Sequence, residues 1–293
     1  MNFHFLGTGT SAGIPAIGCA CEVCTSPDPR DRRLRTAGAI TFTDPAGTPR
    51  VLFIDAGPDL RQQCLRENLT RCDGILLTHN HVDHTFGLDE VRRFNAVQRT
   101  MLDLYCEPHT AEFLQRVYQH IFDRANNIND SFVADILLHR ILPAKTTPHE
   151  VFDPLRLYGL VITPLRLLHG RLPVLGYRIE PSPEMEATLE SALPKDAERW
   201  WPLAYCTDVS AVPPGTFRGL SGLKTLVLDC LRRRHHPTHL TLDQALSLAE
   251  RIDAERTYFV HMAHDLPHEA TNAELPEGIQ LAHDGLRLGT GPM

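Results

Sequence analysis

Three histidines and an aspartate crowd into the run Thr78-His79-Asn80-His81-Val82-Asp83-His84. Neutral imidazoles and a carboxylate together suit zinc, manganese or iron. The pattern His-x-His-x-Asp-His is far narrower than a chance gathering of surface histidines. Directly before it runs Gly74-Ile75-Leu76-Leu77, a short apolar segment that reads as a buried strand. The cluster therefore lies where a sheet ends and a loop begins, and a rigid sheet there holds polar side chains at a fixed spacing.

The same rhythm of apolar strand and polar end recurs along the chain. Residues 163–168 lead to His169, 203–206 to Thr207-Asp208, and 258–260 to His261. With His79, His81, Asp83 and His84, these make seven candidate ligands. One zinc usually takes four, so the set suits two cations sharing a carboxylate, able to hold a hydroxide between them and to neutralise a substrate oxygen. His169, Asp208 or His261 alone would read as an ordinary loop or core residue; only the set is informative. Asp55, where residues 50–54 stop, and Asp229, after residues 226–228, are of the type that orients a histidine through a hydrogen bond. Either is also compatible with a plain turn.

Three further features carry chemistry. Cys19-Ala20-Cys21-Glu22-Val23-Cys24 supplies three thiolates at short range. A tetrahedral structural zinc would need one more Cys or His, and the alternative is a set of buried free thiols. His239 closes His235-His236-Pro237-Thr238-His239, just ahead of a helical pattern over 241–252. With an ordinary pKa near 7, a histidine there suits a proton donor or a phosphate contact; a helix-start residue is the bland reading. Arg232-Arg233-Arg234 reads first as a solvated loop and second as an aid to phosphate binding. The Gly7-Thr8-Gly9-Thr10-Ser11 loop has the wrong spacing for a dinucleotide fingerprint. It reads as a flexible loop with backbone N–H groups near a site.

Elements that must position these residues follow from periodicity. Strands are expected at 2–6, 38–43, 50–54, 74–77, 101–106, 157–168, 174–180, 203–206, 226–228 and 258–260, and helices at 59–68, 89–98, 109–122 and 241–252. The alternation predicts an α/β protein whose sheets pack between helices. The irregular stretch 123–148, with a short helical piece, and the proline- and glutamate-rich stretch 181–202 read as insertions in one domain spanning 1–293. Trp200-Trp201 in the second are of a type that lines a substrate, but packing on the core is the first expectation. The net charge of −7 argues against a bulk nucleic-acid binder. No apolar run approaches the ~20 residues of a membrane span, and the first residues lack a signal-peptide pattern. Eight cysteines without the even spacing of a disulfide framework agree with a cytoplasmic protein.

Ile54-Asp55-Ala56-Gly57-Pro58, the His79–His84 run, His169-Gly170, Thr207-Asp208 and His261 resemble the metallo-β-lactamase-fold hydrolases along most of the chain. The resemblance implies a four-layer αββα sandwich with the site along one edge of two sheets. It implies one metal held by His79, His81 and His169, another by Asp83, His84 and His261, Asp208 bridging them, and Asp55 in support. Thr85-Phe86-Gly87-Leu88 looks like the phosphodiesterase branch rather than the Thr-Gly-Gly of glyoxalase- and lactamase-type members. Phe5-Leu6-Gly7-Thr8-Gly9-Thr10-Ser11, the three cysteines and His261-Met262-Ala263-His264-Asp265-Leu266 resemble the subgroup that includes the phosphodiesterase of the carbon–phosphorus lyase pathway. In that subgroup a structural zinc takes Cys19, Cys21, Cys24 and His264 by position. The function so implied is hydrolysis of a small cyclic or nucleotide-like phosphodiester, 5-phosphoribosyl 1,2-cyclic phosphate among them, by attack of a metal-bridging hydroxide. The cofactors would be two catalytic divalent metals, zinc or manganese, and one structural zinc. Asp83, also a ligand, and His239 are the expected catalytic residues. Rival readings are a thioester or other ester hydrolase and an RNA-processing nuclease; a long basic docking arm for tRNA is not evident. Nucleic acid is thus not the first-choice partner. The inserted stretches leave the exact phosphodiester open, and a homodimer is one admissible state.

Overall fold

Phe3 and Phe5 of the first strand, β1 (Asn2–Gly7), face one core, while Leu6 faces another. Side chains alternate across a strand, so a strand apolar on both sides has to be covered on both faces. The computed structural model describes residues 1–123, 132–144, 151–192 and 199–289. Within it the strands form two seven-stranded sheets. The first runs β14 (Arg287–Leu288), β1, β2 (Ala37–Thr43), β3 (Pro49–Ile54), β4 (Gly74–Leu76), β5 (Leu102–Cys106) and β6 (Ile136–Arg140). The second runs β13 (Ile279–Leu281), β12 (Arg256–Val260), β11 (Thr225–Asp229), β10 (Leu203–Cys206), β9 (Leu172–Pro181), β8 (Leu160–His169) and β7 (Leu155–Leu157).

Three buried clusters separate four layers. Between the sheets lie Phe3, Phe5, Leu52 and Ile54 from one side and Tyr205, Val227, Tyr258 and Val260 from the other. The opposite faces of the same strands, Val51 and Phe53 for example, pack under helices α1 (Leu60–Glu67), α3 (Arg92–Gln98) and α4 (Pro108–Val117). Leu226, Leu228 and Phe259 pack under α7 (Leu242–Ile252). In α7 the buried residues Leu242, Ala245, Ala249 and Ile252 recur at helical spacing on one face. Its start is set by a capping box in which Thr241 and Gln244 satisfy each other's backbone N–H groups. The architecture is the expected αββα sandwich.

Strands β3, β4 and β5 run parallel, as do β10, β11 and β12. Parallel strands end on the same edge. Asp55, Thr78, Asp208, Asp229 and His261, each at or just beyond the end of such a strand, are thereby brought to one rim.

Three expectations change. The stretch 123–148 is only partly an insertion: β6 pairs in parallel with β5, and Ala134 and Ile141 join the cores. As an edge strand β6 is only half-buried, so its apolar pattern is weak. The short helical piece expected in that stretch lies outside the described residues. The helix expected over 109–122 breaks at Tyr118 into α4 and α5 (Gln119–Phe122), and the Tyr118 hydroxyl donates to the Thr85 carbonyl at 3.1 Å. The stretch 181–202 contains α6 (Pro183–Ala192), and Met185, Trp200 and Trp201 are buried in the inter-sheet core. Two short helices remain, α2 (Val82–Thr85) and α8 (His268–Glu274). Among the described residues no helix is long and apolar enough to cross a membrane.

Trp200 is 1% exposed, contacts Phe3 at 5.9 Å between ring centroids and donates its indole N–H to the Met1 carbonyl at 3.2 Å. Trp200→Ala should lower stability by about 3–5 kcal/mol, read as a shift of the urea unfolding midpoint.

Candidate metal centre

Beyond β4 the backbone stays extended, Leu77 N–H donating to the Tyr105 carbonyl, and then turns at Thr78. Asp55 makes that turn: it accepts from the Thr78 N–H at 2.9 Å and from the Thr78 hydroxyl at 3.0 Å. His81 caps the single turn of α2, which tucks Asp83 and His84 inward. The chain from Asp55 to Gly57 packs directly on this turn, with Ala56 N–H donating to the His84 carbonyl and Gly87 N–H to the Ala56 carbonyl. A Cβ on Gly57 would sit 1.9 Å from the Asp83 carbonyl oxygen, and one on Gly87 2.0 Å from the Gly57 carbonyl oxygen. These glycines are needed for close approach of backbones, not for a turn. Asp55, Asp208 and His261 have φ of 65°, 54° and 61°. A non-glycine residue in this region costs about 1 kcal/mol or more; here it turns three polar side chains back over the strand ends.

The seven residues converge. One atom each from His79, His81, His169 and Asp208 lie within 4.8 Å of one another, as do those of Asp83, His84 and His261. Asp208 faces both groups. Its Oδ1 is 3.2 Å from His84 Nε2 and 3.4 Å from His261 Nε2. Its Oδ2 is 3.8 Å from His79 Nε2 and 4.0 Å from His169 Nε2. Asp83 Oδ2 lies 3.3 Å from His84 Nε2 and 3.6 Å from His261 Nε2. His81 alone of the set is exposed.

The second nitrogen of each ring fixes what the first can do. His84 Nδ1 donates to Asp55 Oδ2 at 2.7 Å, and His169 Nδ1 to the Thr238 carbonyl at 2.8 Å. Thr78 gives its proton to Asp55, so its oxygen accepts from His79 Nδ1 at 3.0 Å. In the neutral form of each of these three rings Nε2 carries the lone pair, the tautomer a metal requires. Nε2 of His79, His84 and His261 is buried with no hydrogen-bond partner. Unpartnered buried nitrogens beside buried carboxylates are costly unless something positive lies between them. The donor set therefore fits a pair of divalent cations.

Electrostatics divide the site. Burial pushes the imidazoles of His79 and His169, and partial desolvation that of His81, below their ordinary pKa and favours the neutral ring. At His84 burial acts the same way, but the carboxylates of Asp208, Asp55 and Asp83 outweigh it and raise the pKa well above the ordinary value. At His261 burial is likewise outweighed, first by Asp208. Asp208, although buried, is held well below the usual carboxylate range by His261 and His84.

His239 sits inside the same cluster. Its ring is 4.5 Å from that of His169 and 4.6 Å from that of His261, and its Nε2 is 3.9 Å from Asp208 Oδ2. Asp229 orients it, accepting from His239 Nδ1 and from Leu240 N–H, each at 2.9 Å. Arg232 and Arg233 are engaged elsewhere: Arg232 donates to the carbonyls of Arg234 and His235, and Arg233 pairs with Glu274 at 2.7 Å.

A second cluster lies beyond His261. The sulfurs of Cys19, Cys21 and Cys24 stand 3.2, 3.5 and 3.5 Å from His264 Nδ1. Four such donors around a common point suit tetrahedral zinc. The two clusters are joined by Met262 and Ala263. Thr10 N–H donates to the Met262 carbonyl, and Met262 N–H to that of Thr8. Arg33, buried and paired with Asp31 at 3.1 Å, donates to the Ala263 carbonyl at 3.0 Å and to the Leu266 carbonyl at 2.5 Å. Nothing in the sequence marks Arg33, one of four arginines between positions 30 and 35. Thr78 and Thr238 were equally illegible, because their partners are fixed only by folding.

Comparison with known proteins gives a consistent family. A family model described as a beta-lactamase superfamily domain matches residues 50–262. A protein from Porphyromonas gingivalis named octanoyltransferase is 31% identical over 98% of this chain but only 51% of its own length. The chain thus spans about half of that relative. The crystal structure of a diphosphatase from the PhnP family superposes with a TM-score of 0.79 at 38% identity, covering 98% of this chain and 96% of that one. Zn²⁺-bound PqqB from Methylobacterium extorquens shares the fold, with a TM-score of 0.71 at 19% identity, covering 99% of this chain and 100% of that one.

The contact of Gly57 with the Asp83 backbone leaves no room for a methyl group. Gly57→Ala should cost more than about 2 kcal/mol, measured by urea unfolding in the presence of a chelator. An unchanged midpoint would mean that the two loops separate freely.

Proposed function

The chain belongs to the beta-lactamase superfamily, and we propose that it is a dinuclear-metal phosphodiesterase acting on a small cyclic or nucleotide-like phosphodiester. It is a metal-dependent hydrolase of the metallo-β-lactamase fold. The observation that carries the finer reading is the split of Asp208, with one carboxylate oxygen facing His84 and His261 and the other facing His79 and His169. Phosphoryl chemistry is supported by the 38% identity with a diphosphatase, and 5-phosphoribosyl 1,2-cyclic phosphate is one candidate substrate.

In this reading His79, His81 and His169 hold one cation, Asp83, His84 and His261 the other, and Asp208 both. When bound, the pair supplies a water acidified towards neutrality and positive charge against the phosphate oxygens. The chain's own residues do the rest. Asp55, Thr78 and Thr238 hold the ligand rings in the lone-pair-inward tautomer. Asp229 fixes His239 through Nδ1 and stabilises the ring when it carries a second proton. His239 Nε2, on the Asp208 side, then delivers that proton to the departing oxygen. Cys19, Cys21, Cys24 and His264 hold a structural zinc that braces the chain leaving His261. A cytoplasmic setting, which keeps such cysteines as thiols, belongs to the same proposal.

Metal-replete protein should hydrolyse bis(p-nitrophenyl) phosphate and leave an acyl-glutathione thioester, the substrate of the rival ester-hydrolase reading, untouched. Thioester turnover without phosphodiester turnover would reverse the assignment. Asp208→Ala should lose phosphodiesterase activity by at least about 10³-fold, because one side chain serves both cations. Metal analysis should give about three metals per chain. Cys21→Ser should lose one of them, together with stability, while the other two stay; a full complement in that variant would refute the structural zinc.

A further inference from the structure

His236 takes no part in the ligand set or in the proton delivery assigned to His239, yet it stands beside His239. It is partly exposed, and its ring is 5.1 Å from that of His239. Thr238 fixes its protonation. The Thr238 backbone N–H donates to His236 Nδ1 at 3.4 Å, and the Thr238 hydroxyl lies 3.2 Å from the same nitrogen. A backbone N–H can only donate, so Nδ1 is the unprotonated nitrogen of the neutral ring and the proton sits on Nε2. Among the described residues no protein group accepts from that Nε2–H.

The segment carrying His236 is built rather than loose. Arg232 clamps it from within by donating to the carbonyls of Arg234 and His235, the latter at 2.9 Å. The Thr238 carbonyl accepts from His169 Nδ1, so the residue that sets the His236 tautomer also orients a candidate ligand. Three residues on, Asp229 locks His239. A neutral N–H donor is thus held at a fixed place beside His239, with no acceptor for it among the described residues.

We propose that His236 is a substrate-binding residue whose Nε2–H donates to a phosphate oxygen of the phosphodiester at the metal centre. This rests on the phosphodiesterase reading above. A donor on a neutral ring suits an anionic oxygen and adds no charge to a site that would carry two cations when loaded. A hydrogen bond to a charged acceptor is worth about 1.5 kcal/mol or more, which corresponds to roughly tenfold in affinity.

The test compares wild type with His236→Ala, His236→Asn and His236→Gln, all metal-replete and matched by metal analysis. Glutamine can present an N–H near the position of Nε2; asparagine can replace only the Nδ1 side. Two readouts are used, bis(p-nitrophenyl) phosphate kinetics and calorimetric binding of inorganic phosphate. The alanine and asparagine variants should show KM raised about tenfold and phosphate bound about tenfold more weakly. Glutamine should recover most of both losses. Unchanged KM and phosphate affinity in the alanine variant would overturn the proposal, as would rescue by asparagine equal to that by glutamine, or a loss that tracks metal content. If wild type binds phosphate in a His236-dependent way but cleaves no phosphodiester, the phosphodiesterase reading fails and the anion contact stands.

Discussion

A single buried carboxylate, Asp208, lies between two sets of imidazoles, and the arrangement around it depends on that placement. Oδ1 faces one set and Oδ2 the other, at distances too long for direct hydrogen bonds on most sides but short enough for a shared cation. Asp55 and Asp83 add further negative charge nearby, and both are buried. Buried carboxylates beside nitrogens that lack partners are unfavourable unless positive charge joins them. The residues around Asp208 therefore form a donor set that positive charge between them would stabilise.

The fold supplies the geometry by ending parallel strands on one rim. Each of the two sheets contributes four adjacent parallel strands. Both sheets are held together by an aromatic-rich core of Phe3, Phe5, Trp200, Tyr205 and Tyr258. That core fixes how the Asp55 and Thr78 edge meets the Asp208 and His261 edge. The left-handed backbone at Asp55, Asp208 and His261 then turns the side chains inward, a local cost borne by dense packing behind it.

Outside the rim, two supports hold the ligands in place. One is the cysteine cluster with Arg33, which captures the chain as it leaves His261. The other is the segment from Asp229 to His239, which orients His169, His239 and His236 through Thr238 and Asp229. Arg33 and Thr238 act in part through backbone groups, whereas Asp229 and the cysteines act through their side chains.

The contiguous part of the site was legible from sequence. His79 to His84 announce metal by residue type and spacing, and Cys19, Cys21 and Cys24 announce thiolate ligation, because ligands of one loop must be close in sequence. Alternation of apolar residues gave most of the strands, and the edge strands β6, β7, β13 and β14 escaped because short, half-exposed segments bury too little to leave a pattern. What only the tertiary structure decided is who faces whom. Asp208 and His84 stand 124 residues apart in the chain, and their 3.2 Å separation is set by strand order and by the packing of two sheets, to which no local spacing responds. The same holds for Arg33 beneath Ala263 and for His236 beside His239, where a loop's own hydrogen bonds select one tautomer. Residue chemistry is written in the sequence; the coincidence of distant residues at one rim is a property of the folded sheets.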